Sequence, residues 1–200
     1  MAKKRQSEIY LIMLCGLPAV GKSTIARKLL KVLPDHILIE QNQIRRDIGY
    51  KRMPKNGARN HDSVLRTIDR TMARHLLSGV GVICDSVNRY TFRRLQIYGV
   101  ASACGVRGVA LEVVCSDQVA KARMTQRPKG DGLISDPKSF KVFYNLKKEW
   151  EPLSTDFVHF GSDHINYIRY DSSSNKLARL IQHRGSRGFI SKIEKALTKT

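Results

Sequence analysis

Five short apolar runs punctuate the chain, at residues 9–15, 37–39, 80–84, 106–115 and 165–170. Those at 9, 80 and 106 are continuously apolar rather than alternating, the pattern of strands covered on both faces. Stretches of helical period lie between them. "STIARKLLKVL" carries apolar residues at 25, 26, 29, 30 and 33, and residues 61–78 place Val64, Ile68, Met72 and Leu76 at i, i+4 spacing. This alternation predicts an α/β fold with a five-stranded parallel sheet and helices on both faces. Residues 121–152 hold no strong strand and are expected to form a helical hairpin, with a lid over about 121–140. A basic helical tail is expected over about 175–200, and "DSSSN" at 171–175 reads as a polar loop. No linker interrupts the pattern, so residues 1–200 are expected to form one domain.

The first run feeds directly into "GLPAVGKST", residues 16–24, which fits G-x-x-x-x-G-K-[ST] between a strand and a helix. Gly16 and Gly21 let the backbone curl through Ala19 and Val20 so that amide hydrogens converge on an anion. The helix that opens near Ser23 and Thr24 adds its dipole. Lys22 is placed to reach β- and γ-phosphates, and Ser23 offers a hydroxyl to Mg²⁺. The motif therefore predicts a nucleoside triphosphate site. A GTPase would need an NKxD-type guanine reader, and "SNKLA" has Ala178 where that aspartate belongs. A motor or AAA-type ATPase usually has more chain and an acidic pair after its second motif, whereas "GVGVICDS" ends on Asp85 alone. A short chain with one such loop near its start instead suits a phosphotransferase.

Together "GLPAVGKST", "QIRRDIG", "DSVNRYTFRR", "ARMTQR" and "SDP…KKEWEPL" resemble the P-loop kinase family that includes polynucleotide 5′-kinases. Seryl-tRNA kinases and zeta-type toxin kinases are relatives. The resemblance covers roughly residues 9 to 155 and implies ATP and Mg²⁺ as cofactors. It also implies an aspartate after the second strand that accepts the proton of the attacking hydroxyl, followed by an arginine that holds substrate phosphate, spelled D-x-x-R. Here the spelling is N-Q-I-R, Asn42 to Arg45. An amide orients a hydroxyl but is no base at neutral pH. An isosteric replacement of an aspartate accounts best for an otherwise intact constellation. A lineage that uses another carboxylate, or has lost catalysis, is an alternative, as is a plain helix-capping asparagine. Glu40 and Asp85 are the nearby acids, and Asp47 is less well placed.

Asp85, at a strand's C-terminal end, is expected to face the Mg²⁺ shell with Ser23 or the substrate, with a cap for the helical run near Thr91 as the alternative. Arg45, Arg46, Arg52, Asn88 and Arg89 are the expected acceptor contacts. Arg123 and Arg127, at i, i+4, share a helix face and suit lid arginines on the triphosphate. "KGDG" at 129–132 suits a moving tip.

Composition then bears on the acceptor. The formal net charge is +19, and a polyanionic partner is a common reason to tolerate such self-repulsion. Residues 45–74 hold nine Lys or Arg against three Asp. Arg66, Arg70 and Arg74 form a stripe opposite Val64, Ile68 and Met72, with Asp62 able to pair only with Arg66. Lys51, Arg52, Lys55, Arg59 and Tyr50 lie in the loop before it. Nucleic acid is therefore the expected partner, and the 5′-OH of RNA or DNA the expected acceptor. A sugar, nucleoside or antibiotic kinase is the alternative among enzymes, and a catalytically dead module that binds ATP and nucleic acid is the alternative outside them. Cys15, Cys84, Cys104 and Cys115 lack CxxC spacing and read as small core residues of a reduced, cytoplasmic protein. The apolar run after "MAKKRQSE" is too short to span a membrane, and no membrane association is expected.

Overall fold

The computed structural model describes residues 9–49, 58–126, 140–156, 165–181 and 184–198. Its centre is a sheet of β1 (Tyr10–Cys15), β2 (His36–Glu40), β3 (Gly81–Asp85), β4 (Arg107–Val114), β5 (Ile165–Asp171) and β6 (Lys176–Ile181), in the order β2-β3-β1-β4-β5-β6. β1 to β5 pair in parallel. All five anticipated strands form within a residue or two of their apolar runs.

The sixth strand corrects the five-strand expectation. β6 pairs antiparallel with β5, and "DSSSN" is the connection that turns the chain back. The basic tail accordingly does not start as a helix at 175. Residues 176–181 are strand, and the terminal helix begins at Arg187.

Seven α-helices are found among the described residues: α1 (Lys22–Val32), α2 (Gln41–Asp47), α3 (Ala58–Leu77), α4 (Thr91–Ala103), α5 (Asp117–Thr125), α6 (Phe140–Lys148) and α7 (Arg187–Thr198). The pleat of β1 divides the core between them. Tyr10, Ile12 and Leu14 pack with Ile25, Ala26 and Leu29 of α1 and with Phe189, Ile190, Ile193 and Leu197 of α7. Leu11, Met13 and Cys15 pack on the other face with Val64, Ile68, Met72 and Leu76 of α3 and with Ile97, Tyr98 and Ala101 of α4. A strand that serves two helix layers must be apolar at every position, which is why β1 shows no alternation.

α5 and α6 form the helical element outside these two layers. Ala120, Met124 and Phe143 make a small separate cluster with Ala19, so this element rests on the glycine loop. Its tip, 127–139, lies outside the described residues. Cys15 and Cys84 are buried, Cys104 and Cys115 half-buried, and all four are free thiols.

Candidate active site

β1 is central, with β3 on one side and β4 on the other, so the chain changes direction across the sheet beside β1. Such a reversal opens a crevice beyond the carboxyl ends of the strands. A cleft of about 1040 Å³ lies there, reaching from the glycine loop to the first turns of α2, α3 and α4.

The nucleotide half is built by the 16–24 loop. Gly16 and Gly21 have φ of 150° and 103°, and Ala19 one of 64°. A Cβ on Gly16 would collide with the Val113 carbonyl oxygen, so this close approach demands glycine. Gly21 precedes α1, whose first residues line the cleft. Lys22 Nζ donates to the Gly16 and Leu17 carbonyls at 2.8 and 2.9 Å. Ser23 Oγ donates to Asp85 Oδ2 at 2.6 Å. That pairing joins the hydroxyl and the carboxylate expected to share Mg²⁺, and a hard cation takes this type of oxygen donor. Among the described residues, no group of three or more His, Cys, Asp or Glu could hold a metal. No described helix is long and apolar enough to cross a membrane.

Arg123 reaches this half from α5. Its guanidinium donates to the Ala19 and Val20 carbonyls at 3.4 and 3.2 Å, and to Ser172 Oγ and O at 2.9 and 3.2 Å. Ser172 Oγ in turn donates to the Val20 carbonyl at 2.6 Å. Arg123 and Ser172 thus clamp the outside of the loop. Sequence reasoning does not single out Ser172, which looks like one more residue of a polar turn; its one signal is a hydroxyl at a strand's C-terminal end. Arg127 lies outside the described residues.

The other half of the cleft, where the acceptor contacts are expected, starts where β2 becomes α2. Asn42 is the second residue of α2 and lines the cleft. Glu40 occupies the capping position and makes no side-chain cap bond, so Asn42 is not a helix cap. Its Oδ1 accepts a hydrogen bond from Arg45 Nη1 at 3.1 Å. Glu40 and Asp85 are register partners on β2 and β3, and both line the cleft. Asp47 is bonded to Gln43 and is not among the lining residues. Arg46 lines the cleft and donates to Gln43 Oε1. Arg52 lies outside the described residues, as do Tyr50, Lys51, Lys55 and the side chain of Arg59.

Arg45, Arg89, Arg93 and His61 line the cleft together. Burial lowers the Arg45 pKa. Burial also lowers that of His61, helped by the charges of Arg45, Arg89 and Arg93. An anion beside Arg45 and His61 would relieve this penalty on their charged forms.

Asn88, an expected substrate contact, lines the cleft and also has a structural role. It is 4% exposed, has φ of 50°, and donates through Nδ2 to the Leu14 carbonyl at 2.8 Å. It holds the loop after β3 against the end of β1. Arg89 stacks over the Tyr90 ring at 4.3 Å and pairs with Glu149 at 3.0 Å.

Beneath that loop is Arg94, fully buried and not among the residues that sequence reasoning selects. It forms two 2.7 Å bonds to the equally buried Asp156. It also donates to the carbonyls of Asn88, Arg89 and Pro152 and to Thr91 Oγ1. A signal is present nonetheless: residues 94, 97, 98 and 101 form the buried face of α4, and Arg94 occupies a core position on it. Arg93 likewise escapes the sequence reading. It makes a bidentate bond to Asp69 at 2.7 and 2.8 Å and ties α4 to α3.

A family model described as "AAA domain" matches residues 11–145, two thirds of the chain, and this span includes the glycine loop, Asn42, Arg45, Asp85 and Arg123. The chain belongs to this family, a branch of the P-loop kinases. No curated protein matches this P-loop kinase in sequence. Solved structures do match in fold. Kti12 of Chaetomium thermophilum, in complex with ADP-AlF3, is 21% identical with a TM-score of 0.61, covering 94% of this chain and 100% of that one. A sugar kinase from Janibacter sp. is 16% identical with a TM-score of 0.58, over 82% and 85%. A fungal RNA kinase is 13% identical with a TM-score of 0.55, over 97% and 100%.

Proposed function

We propose that this protein is an ATP-dependent kinase that moves the γ-phosphoryl group of ATP to a hydroxyl of a polynucleotide, namely the 5′-OH of RNA or DNA. The observation that carries this reading is the cluster of Arg45, Arg46, Arg89 and His61, lining the same cleft as the nucleotide loop. A small neutral acceptor needs no such cluster, whereas a strand end brings phosphates adjoining its hydroxyl. The net charge of +19 and the likeness in fold to an RNA kinase support it.

Bound MgATP supplies the transferable phosphoryl group and neutralises its charge. The rest is positioning. The loop amides and Lys22 hold the β- and γ-phosphates, and Ser23 and Asp85 hold Mg²⁺. Arg127 balances charge developing on the transferred group, while Arg123 braces the glycine loop through the Ala19 and Val20 carbonyls. Arg45, with Arg46, Arg52 and Arg89, holds the acceptor's phosphate. Asn42 orients its hydroxyl.

Two further readings have specific support. A small-molecule kinase is favoured by the comparable fold likeness to a sugar kinase. An inactive ATP- and nucleic-acid-binding module is favoured by the amide of Asn42. The deciding experiment uses the parent and Asn42→Asp with γ-labelled ATP, Mg²⁺ and oligonucleotides bearing a free 5′-OH. Label is expected on the oligonucleotide with Asn42→Asp, and more slowly or not at all with the parent. Transfer to sugars or nucleosides alone, or to nothing in either protein, overturns the proposal.

A further inference from the structure

α3 begins at the cleft, which His61, Asp62 and Leu65 line, and then leaves it. On its outer face Arg66, Arg70 and Arg74 are all exposed, while Val64, Ile68, Met72 and Leu76 are buried beneath. At 1.5 Å per residue the stripe is about 12 Å long, and its far end stands about 20 Å from His61. None of the three arginines has an acidic partner among the described residues; Asp62 forms no ion pair with Arg66. Like charges at i, i+4 repel, and this helix carries two such steps uncompensated.

A second feature flanks the first. Phe92 lines the cleft while 71% exposed, and Tyr90 beside it is 38% exposed. Elsewhere in α4 the large apolar residues Ile97 and Tyr98 are buried, so Phe92 is not contributing to the core. The Arg93–Asp69 bond fixes the first turn of α4 to the middle of α3, and Asp69 immediately precedes Arg70. The exposed ring of Phe92 and the first turn of α3 thus line one cleft, and the row of arginines without acidic partners continues from there along the outer face of α3. Together they match the two components of single-strand binding, a stacking platform and a cationic track.

We propose that α3 is a track for the sugar-phosphate backbone of a single-stranded nucleic acid whose terminal bases stack on Phe92 as its end enters the cleft. This rests on the polynucleotide reading above and adds to it the path, the strandedness and a dependence on length. Arg66, Arg70 and Arg74 take successive backbone phosphates beyond the reacting end. Phe92 acts next to the end itself.

The test is binding without ATP, so that it stands apart from any phosphotransfer. A fluorescent 5′-OH oligonucleotide of about twelve nucleotides and one of about three are titrated at several salt concentrations. The proteins are the parent, Arg66→Ala/Arg70→Ala/Arg74→Ala, and Phe92→Ala. Losing three single-strand phosphate contacts should make the slope of log affinity against log salt shallower by about two for the long strand, and change it little for the short one. Phe92→Ala should weaken both strands on the order of tenfold to a hundredfold. The triple variant should melt close to the parent, because the three exposed side chains form no ion pair among the described residues and the loss is confined to mutual repulsion and a 3.4 Å contact of Arg74 with His75. For the triple variant, an unchanged slope or equal losses on both lengths overturns the track, as does displacement of the strand from the parent by poly-glutamate as readily as by unlabelled oligonucleotide. A slope lost as expected in a protein that labels no acceptor would keep the track and remove the kinase reading.

Discussion

Asp156→Asn tests whether buried charge shapes the acceptor loop. Arg94 and Asp156 are both 0% exposed and joined by two 2.7 Å bonds, and Tyr98 donates to the same carboxylate at 3.0 Å. Neutralising Asp156 leaves a guanidinium that cannot shed its proton, buried with only neutral acceptors around it. Removing one partner of such a pair costs about 3–5 kcal/mol, a large fraction of the roughly 5–15 kcal/mol of an ordinary domain. For a chain of this size that is a fall in Tm of about 6–20 °C. Urea unfolding at pH 7 with calorimetry reads it directly. The double variant Arg94→Met/Asp156→Leu removes both charges and should regain much of the loss. It still withdraws the donors from the Asn88 and Arg89 carbonyls, so KM for the acceptor should rise while KM for ATP stays put. Asp156→Asn within about 1 kcal/mol of the parent, below the range for a broken buried pair, would refute the idea that this ion pair organises the loop.

Three smaller perturbations follow from the same structure. Gly16→Ala drives a Cβ into the Val113 carbonyl at φ 150°, and calorimetric titration should show ATP binding lost while the far-UV spectrum is kept. Arg123→Ala removes the clamp on the Ala19 and Val20 carbonyls. Charge-assisted bonds of this kind are worth about 1.5–3 kcal/mol each, so ATP affinity should drop on the order of tenfold to a hundredfold. His36 is 7% exposed, and burial lowers its pKa from 6.5 to about 4. The folded state holds it neutral and the unfolded chain protonates it first. Its contribution is therefore complete above pH 6.5 and lost as pH falls towards 4, by about 2 kcal/mol at pH 5. His36→Leu should flatten that part of the stability profile, and an unchanged slope between about pH 7 and 5 would count against the buried neutral imidazole.

What can be read from the chain divides by physical cause. β1, β3 and β4 announce themselves because strands buried on both faces admit few polar residues. The nucleotide loop does so because an anion cradle demands glycine where side chains cannot fit. β6 does not: "KLARLI" is an edge strand, and its pairing depends on a hairpin whose turn residues look like any polar loop. Arg94 is hidden by its own identity. An arginine in a basic segment is taken for surface, and only its position on the 94, 97, 98, 101 face reveals that a charge belongs to the core. Ser172 offers only a hydroxyl at a strand's C-terminal end, and its clamping role is set by a loop 152 residues away.

The Asn42–Arg45 contact bears on how much activity a carboxylate at position 42 would add. The amide oxygen accepts the Arg45 donor at 3.1 Å, as a carboxylate oxygen in the same place would, so Asn42→Asp should leave the surroundings undisturbed. Arg45 would at the same time favour the charged form of the introduced carboxyl group, holding its pKa low and making it a modest base. Phosphoryl transfer through a loose transition state asks little of a base beyond orientation. General-base assistance of about 10²–10⁴-fold is then an upper range for the gain in kcat, and the lower end is the one expected here. KM for ATP should not change, because the substituted side chain belongs to the acceptor half. The gain should hold throughout the neutral range and fade only in acid, the signature of a base whose pKa Arg45 keeps low. A gain appearing only above neutral pH would mean that the proton leaves by another route, with Glu40, register partner of Asp85, the next carboxylate to replace.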